Sequence, residues 1–576
     1  MGCPPAYPDQ YNSDVDLGRS QRVSQVGSRV MARWIAALVA VVLVLGATPL
    51  AAASKSSPAK IDPALLAAAK ASPNALFPVI VRGAGTDSKT RAKAAEAILA
   101  NATGTRRTLS IIGSASATLR GAQIVAIANL PSVSRIVRDQ TFNVSWTTGD
   151  AAAAASEAGV LAVNAPLAWS TLGVSGNGIG VAVIDSGVAD HPDLAGRVVA
   201  RVDFTGEQSN GDPGGHGTHV AGLIAGDGTA SGGAWTGVAP RANIVSVRVI
   251  DANGHATLST IFAGMQWVIA NRATYTIKVV NLSFGGAALS GYQDDLLASA
   301  TEMLSFAGMV VVVAAGNGGP GQGTITTPAD DPFVITVGAL DDNGTPGLLD
   351  DTVAGWSSQG PTAFDAIAKP DLVAPGRRMT GLRAAGSTID TMYPERRVTA
   401  LGALDAQYFT LSGTSMAAPV VAGVAALFLE RNPSAGPRLV KRQLTGTAHP
   451  LLGVPTSAQG SGIVDALAAL TLRADWTGYT PYPASTAFAQ QVYKKLFGQP
   501  IVWRDLSFHG GVDSRGIPWT DITWDDITWD DITWEDITWE AFNWQDITWD
   551  DITWEDVTWE TTAAPLGGSG GWTLVN

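Results

Sequence analysis

Between about Gly159 and Leu472, short apolar runs alternate with stretches of helical periodicity. Residues 180–184, 244–249, 278–282, 309–314 and 333–338 are Val-, Ile- and Ala-rich runs of strand length. Residues 258–271, 296–307 and 415–430 carry apolar positions at helical spacing. Strands of this length separated by helical stretches predict an α/β fold: a parallel sheet with helices on both faces. In such sheets the working residues lie at the carboxyl ends of the strands. The run 180–184 ends on Asp185, which makes that carboxylate a candidate.

The pattern differs on either side. Residues 77–81, 108–112 and 135–142 read as strands and 89–100 and 123–130 as helices, a small α+β unit over 77–146. Before it, 54–76 is Ser-, Pro- and Ala-rich and reads as a linker. After it, 147–158 is Gly/Ala-rich and suits a processing region. In residues 1–53, Arg29 and Arg33 precede an uncharged run from Trp34 to Ala47, then Pro49 and Ala51-Ala52-Ala53. This is the layout of an export signal with a small-residue cleavage site, so the protein is expected to be secreted. Residues 34–53 also just reach spanning length, and the alternative is a retained membrane anchor.

Beyond the α/β region, 473–516 is broken by Pro481, Pro483 and Pro500 and reads as a linker or small module. Residues 517–561 form a pentapeptide repeat, with Trp at 519, 524, 529, 534, 539, 544, 549, 554 and 559, before a tail at 562–576. A period of five keeps no single helix face. One short strand per unit with an acidic corner satisfies the pattern, and so does a polar tail with sticky aromatics. The aromatic spacing suggests contact with the rest of the chain or with an external surface such as a cell surface.

Length and charge narrow the picture. A chain of 576 residues suits about two to four domains at roughly 100–200 residues each. The net charge of -13 comes from the repeat: from Gly516 onward there are 14 Asp/Glu and no Lys or Arg. No basic stripe is present, so a nucleic-acid partner is not expected. The single cysteine, Cys3, precedes the apolar segment, so a chain without its leader has neither a disulfide framework nor thiol catalysis.

Three separated segments carry candidate chemistry. Val181-Ala182-Val183-Ile184-Asp185-Ser186-Gly187 delivers a carboxylate to a strand end before a glycine turn, though Asp-Ser-Gly by itself often only makes a turn. Gly214-Gly215-His216-Gly217-Thr218-His219-Val220-Ala221-Gly222 places His216 at the start of a helix. The spacing of three between His216 and His219, with no Glu between them, does not suit zinc, and His219 reads as a satisfied core histidine. Leu411-Ser412-Gly413-Thr414-Ser415-Met416-Ala417-Ala418-Pro419 puts Ser415 at a helix start, where a bland reading is an N-cap. A serine hydroxyl needs an adjacent base to act as a nucleophile. Imidazole suits that task, and a carboxylate fixes its tautomer.

Together the three segments resemble the active-site motifs of the subtilisin-like serine peptidase family, including the chain order Asp, His, Ser. The resemblance implies Asp185 as the orienting acid, His216 as the general base and then acid, and Ser415 as the nucleophile. Val312-Val313-Ala314-Ala315-Gly316-Asn317 resembles the family's oxyanion segment, which implies that Asn317 and the Ser415 backbone N–H receive the oxyanion. Asn281-Leu282-Ser283-Phe284-Gly285-Gly286 resembles the strand that pairs with substrate backbone, implying that role for Ser283, Phe284 and Gly285. Phe284 stands where the family usually has Leu. The segments 356–361, 369–376 and 462–465 also resemble family segments, with Trp356 and Gln359 as departures.

The likeness is close over 159–472, the expected catalytic domain. Less specifically, the unit at 77–146 resembles the family's propeptide, which assists folding and blocks the cleft. Residues 377–410 are long enough for extra hairpins beside the cleft. The resemblance therefore implies a secreted endopeptidase, autoprocessed from a zymogen, acting on protein or peptide substrates and binding its own propeptide. No cofactor is expected for the chemistry. Structural calcium is common in the family, but no ligand cluster here is specific enough to name. The alternative function is a surface-attachment or binding protein acting through the Trp repeat, with an inactive or incidental peptidase domain.

Overall fold

The structure is a computed structural model that describes residues 60–85, 88–100, 102–143, 159–207, 209, 211–345 and 347–474. The export or anchor segment, the processing region at 147–158, all but the first two residues of the linker or module expected at 473–516, the Trp repeat and the tail lie outside the described residues.

The first described unit holds helix α1 (Pro63–Ala71), strand β1 (Leu76–Gly83), helix α2 (Ser88–Ile98), β2 (Thr103–Leu109), β3 (Ser114–Arg120), helix α3 (Gly121–Ala128), β4 (Val133–Arg138) and β5 (Thr141–Asn143). Strands β2-β3-β1-β4 form an antiparallel sheet, with Val79 opposite Ala117 and Arg138. Its strands alternate as period 2 requires. Val79 and Val81 point to the helices and pack with Leu65, Ala95 and Ile124, while Ile80 points to the opposite face.

Several boundaries differ from the sequence expectations. Residues 63–71 fall in the expected linker but form a helix. Asp62 accepts from Ala64 N–H, Pro63 starts the helix, and Leu65 and Ala69 face the sheet one turn apart. The expected strand 108–112 ends at Leu109, where a 3₁₀ turn over Ser110–Ile112 closes on left-handed Gly113. The expected strand 135–142 is two strands, because β5 leaves the sheet and pairs antiparallel with β9 (His255–Thr257). The sequence pattern does not predict strand β3. Its Ser-Ala-Ser-Ala-Thr lacks the apolar contrast that period-2 reasoning needs.

The α/β region is built as expected. Helix α4 (Ala165–Leu172) leads to β6 (Gly180–Asp185), β7 (Val198–Asp203), α5 (His216–Ala225), β8 (Asn243–Arg248), β9, α6 (Leu258–Asn271), β10 (Ile277–Leu282), α7 (Leu296–Phe306), β11 (Val310–Ala314) and β12 (Ile335–Asp341). Then come β13 (Thr352–Val353), β14 (Leu372–Pro375), β15 (Met379–Leu382), α8 (Thr388–Met392), β16 (Arg397–Val398), β17 (Tyr408–Leu411), α9 (Thr414–Arg431), α10 (Pro437–Gly446) and α11 (Ala466–Thr471). The large sheet runs β13-β12-β11-β10-β6-β8-β7, with β14 also on β12. Every pairing in it is parallel except the two-residue edge strand β13.

Both faces of this sheet are covered, so its strands are apolar throughout. Val181, Val183, Val279 and Val312 pack on the side of α5 and α9. Ala182, Ile184, Val280 and Val313 pack on the side of α6 and α7. The second layer also takes Ile80, Leu109, Ile111, Ile112 and Phe142 of the N-terminal unit. Helix α9 is the one described helix long and apolar enough to cross a membrane, yet 89% of its apolar window is buried inside the molecule. It is a core helix of the fold.

Candidate active site

Strand β6 carries Asp185 to the carboxyl edge of the sheet, fully buried. Its Oδ1 accepts from Ser186 N–H at 2.7 Å and is paired with His216 Nδ1 at 2.8 Å. His216 is the first residue of α5, and the turn before it depends on glycine. Gly215 has φ of +98°, and a Cβ on Gly217 would lie 2.2 Å from Gly187 O.

One residue that the sequence reading missed holds this turn. The buried Asp212 carboxylate accepts four hydrogen bonds: from Ser186 Oγ at 2.8 Å, Gly215 N–H at 2.7 Å, Thr218 N–H at 2.8 Å and Thr218 Oγ1 at 2.7 Å. The available signal was an acidic residue just ahead of a glycine-rich helix entry. Burial pushes the Asp212 carboxyl above its ordinary pKa despite those donors.

The two histidines of α5 have opposite electrostatics. Burial works to lower the pKa of His216, but the charge and hydrogen bond of Asp185, aided by Asp212, hold it above the ordinary histidine value. His219 is pushed down to about 3, first by burial and then by the neighbouring His216. Its Nε2 lies 3.1 Å from Met379 O and 3.0 Å from Phe409 O, which fits the expected core histidine.

Ser415 is the second residue of α9 and is buried. Its hydroxyl donates to Ser283 O at 3.0 Å, and Ser283 Oγ donates to Ser415 O at 2.8 Å. Ser283 directly follows β10, which is the neighbour of β6 in the sheet. Asp185, with His216 attached, and Ser415 therefore gather over the carboxyl ends of two adjacent strands. Asn317 follows the next strand, β11. Its Oδ1 accepts from Thr414 N–H and Thr414 Oγ1, both at 3.0 Å, and Thr414 Oγ1 also accepts from Gly316 N–H at 3.1 Å. With its oxygen anchored on Thr414, the Asn317 amide has a fixed orientation beside the nucleophile candidate.

The expected substrate strand is only partly open. Ser283 is fully buried and bonded to Ser415, and the Phe284 side chain belongs to the core layer under α6 and α7. Gly285 and Gly286 are half-buried, and Gly286 exchanges two backbone hydrogen bonds with Thr327. A Cβ on Gly286 would lie 2.2 Å from the Phe142 ring, so the N-terminal unit sits against this strand. Among the described residues no group of three or more His, Cys, Asp or Glu is arranged to hold a metal ion.

The sequence pattern of the subtilase family matches residues 176–468. The chain is 42% identical over 299 residues to the serine protease AprX of Bacillus subtilis (strain 168), a match covering 51% of this chain and 66% of that protein. It is 36% identical over 311 residues to subtilisin Savinase of Lederbergia lenta, covering 54% of this chain and 97% of that one. Among solved structures it resembles fervidolysin of Fervidobacterium pennivorans, a keratinolytic enzyme related to subtilisin. The TM-score is 0.54 at 25% identity, covering 70% of this chain and 62% of that chain. The matched stretch is thus just under two thirds of AprX and of fervidolysin.

Proposed function

Because this chain belongs to the subtilase family, we propose that it is an exported serine endopeptidase made as a zymogen and acting through an acyl-enzyme. The observation that carries the chemistry is the 2.8 Å pairing of Asp185 with His216 beside the strand end whose carbonyl holds the Ser415 hydroxyl. Asp185 keeps His216 Nδ1 protonated, which leaves Nε2 as the base. When the Ser415 hydroxyl turns from Ser283 O toward His216, it gives up its proton and attacks the scissile carbonyl. His216 then passes that proton to the leaving amine, and water repeats the sequence to free the acid. The negative oxygen formed in each addition is received by the Asn317 amide and the Ser415 N–H. Ser283 O becomes available to the substrate side of the cleft once the Ser415 hydroxyl moves.

The zymogen reading rests on where the N-terminal unit is seated. Strand β5 occupies the edge of β9, Phe142 covers Gly286, and Asp139 caps α6 by accepting from Ser259 N–H at 2.9 Å and Ser259 Oγ at 2.6 Å. An extended strand added at such an edge is the way a peptide substrate would bind.

The test compares the mature protein with Ser415→Ala on a labelled denatured protein. Loss of about four to six orders of magnitude in turnover is expected. Equal rates in the two proteins would remove this mechanism.

A further inference from the structure

The directions of the hydrogen bonds around Asp212 fix its charge. Ser186 Oγ accepts from Gly217 N–H at 2.9 Å, and Thr218 Oγ1 accepts from Ala189 N–H at 2.9 Å. An amide N–H can only donate, so each hydroxyl must send its own proton elsewhere. Among the described residues, Asp212 is the one acceptor paired with either of them. The N–H groups of Gly215 and Thr218 take the remaining positions, so Oδ1 and Oδ2 each receive one O–H and one N–H. A protonated carboxyl would need an acceptor and meets only donors here. Asp212 is therefore ionised although it is only 6% exposed: burial raises its pKa, and the four donors act against that rise.

This second carboxylate is tied to both members of the first pair. Ser186 follows Asp185 and gives that carboxylate its N–H, while its Oγ takes the N–H of Gly217, the residue after His216. Asp212 thus joins the end of β6 to the start of α5. From the other side, the excursion at 384–406 between β15 and β17 closes over the same turn. Thr388 N–H donates to Pro213 O at 2.8 Å and Ile389 N–H to Gly214 O at 3.2 Å, and a Cβ on Gly215 would lie 2.3 Å from Ser387 Oγ.

The other charges near His216 are paired or neutral. Arg248 of β8 reaches Ser186 O at 3.1 Å but is neutralised by Asp203 and Glu207. Asp390 of the excursion is held by Arg383 and Arg397. Asp193 and Arg197 stand at the far end of α5, and His219 within it is neutral. Asp185 and Asp212 are the two carboxylates that raise the basicity of the ring.

We infer that Asp212 is a positioning residue for the proposed reaction, an ionised second carboxylate that sets His216 against Asp185 and stabilises the imidazolium as it forms. This rests on the acyl-enzyme reading above.

Two measurements test it. Neutron diffraction of the unaltered enzyme, exchanged into deuterium oxide at neutral pH, should place deuterons on Ser186 Oγ and Thr218 Oγ1 directed at Asp212 and none on Asp212. A deuteron on either Asp212 oxygen overturns the inference, and this measurement needs no variant to fold. The second is the pH profile of Asp212→Asn, which keeps the size and removes the charge. Its kcat should fall about 10- to 100-fold with KM within about twofold, the scale of a misplaced catalytic group. Its acid limb of kcat/KM should move about 0.5–1 unit to lower pH, at or below the shift expected of a carboxylate in contact with the ring. The limb reports a pKa, so it does not depend on how much of a variant folds. Thr218→Val removes one hydroxyl donor and leaves the charge, so its limb should stay in place. An unmoved limb in Asp212→Asn, or an equal shift in Thr218→Val, overturns the role of the charge. Turnover that Ser415→Ala leaves intact would instead overturn the acyl-enzyme reading.

Discussion

The carboxyl edge of the large sheet and the surface joining the N-terminal unit to α6 and α7 are both buried, but they are built from different interactions. At the edge, Asp212 accepts four hydrogen bonds and Asp185 and Asn317 Oδ1 accept two each, all within a few residues of glycine turns. At the second surface, Ile80, Leu109, Ile111, Ile112 and Phe142 supply apolar contact. A few polar pins fix it, among them Ser110 Oγ to Gln266 Oε1 at 2.8 Å and Arg135 Nη1 to Asp294 O at 2.9 Å. Hydrogen bonds fix angles, and apolar burial fixes proximity. The first region is suited to holding atoms for chemistry, the second to holding one body against another.

This contrast predicts steep losses at the edge and graded ones at the surface. Asp185→Asn should cost about 10⁴ in kcat, because the ring is no longer held in the working tautomer. It should also move the acid limb of kcat/KM. Only neutral His216 can accept the serine proton, so activity falls as pH drops through its pKa. That pKa is raised, chiefly by Asp185 acting against burial, so the acid limb should sit above about 6.5 in the unaltered enzyme. In Asp185→Asn the limb should move to lower pH; a limb that stays in place would break the assignment of the pair.

Asn317→Ala should lower kcat by about 10²–10³, a magnitude carried over from the corresponding donor in subtilisin, with KM little changed. A rise in KM alone would make Asn317 a binding residue. At the apolar surface, Phe142→Ala should weaken inhibition of the mature enzyme by the separately expressed N-terminal unit about 100-fold, the order expected for truncating one buried aromatic. A loss below about twofold would mean that the polar pins, not apolar contact, carry that interface. Deleting 517–561 should change small-peptide turnover by at most about twofold, because the repeat supplies none of the residues proposed for the chemistry. Near-total loss of folded enzyme would tie the Trp repeat to the catalytic fold.

Much of this was legible in the chain because it is written in local pattern. Residues 180–184 and 309–314 are apolar on both faces, and only a sheet covered on both sides satisfies that. The entry to α5 was legible from its glycines, and α9 from its apolar length. Strand β3 was not legible, because Ser and Ala alternate there with little contrast. Helix α1 was hidden by a linker-like composition; its stability comes from Leu65 and Ala69 meeting a sheet not yet formed in sequence order.

Sequence alone determined the residue types that can do acyl-transfer chemistry, and the turns that present them, because glycine and strand periodicity act over a few neighbours. Tertiary structure decided the surroundings of two histidines three residues apart. His216 meets a carboxylate brought from β6, while His219 meets two backbone carbonyls brought from β15 and β17. It also decided that Asp212 supports the turn and that the excursion at 384–406 rests upon it. Those contacts join segments far apart in the chain, and no local preference encodes where such segments meet.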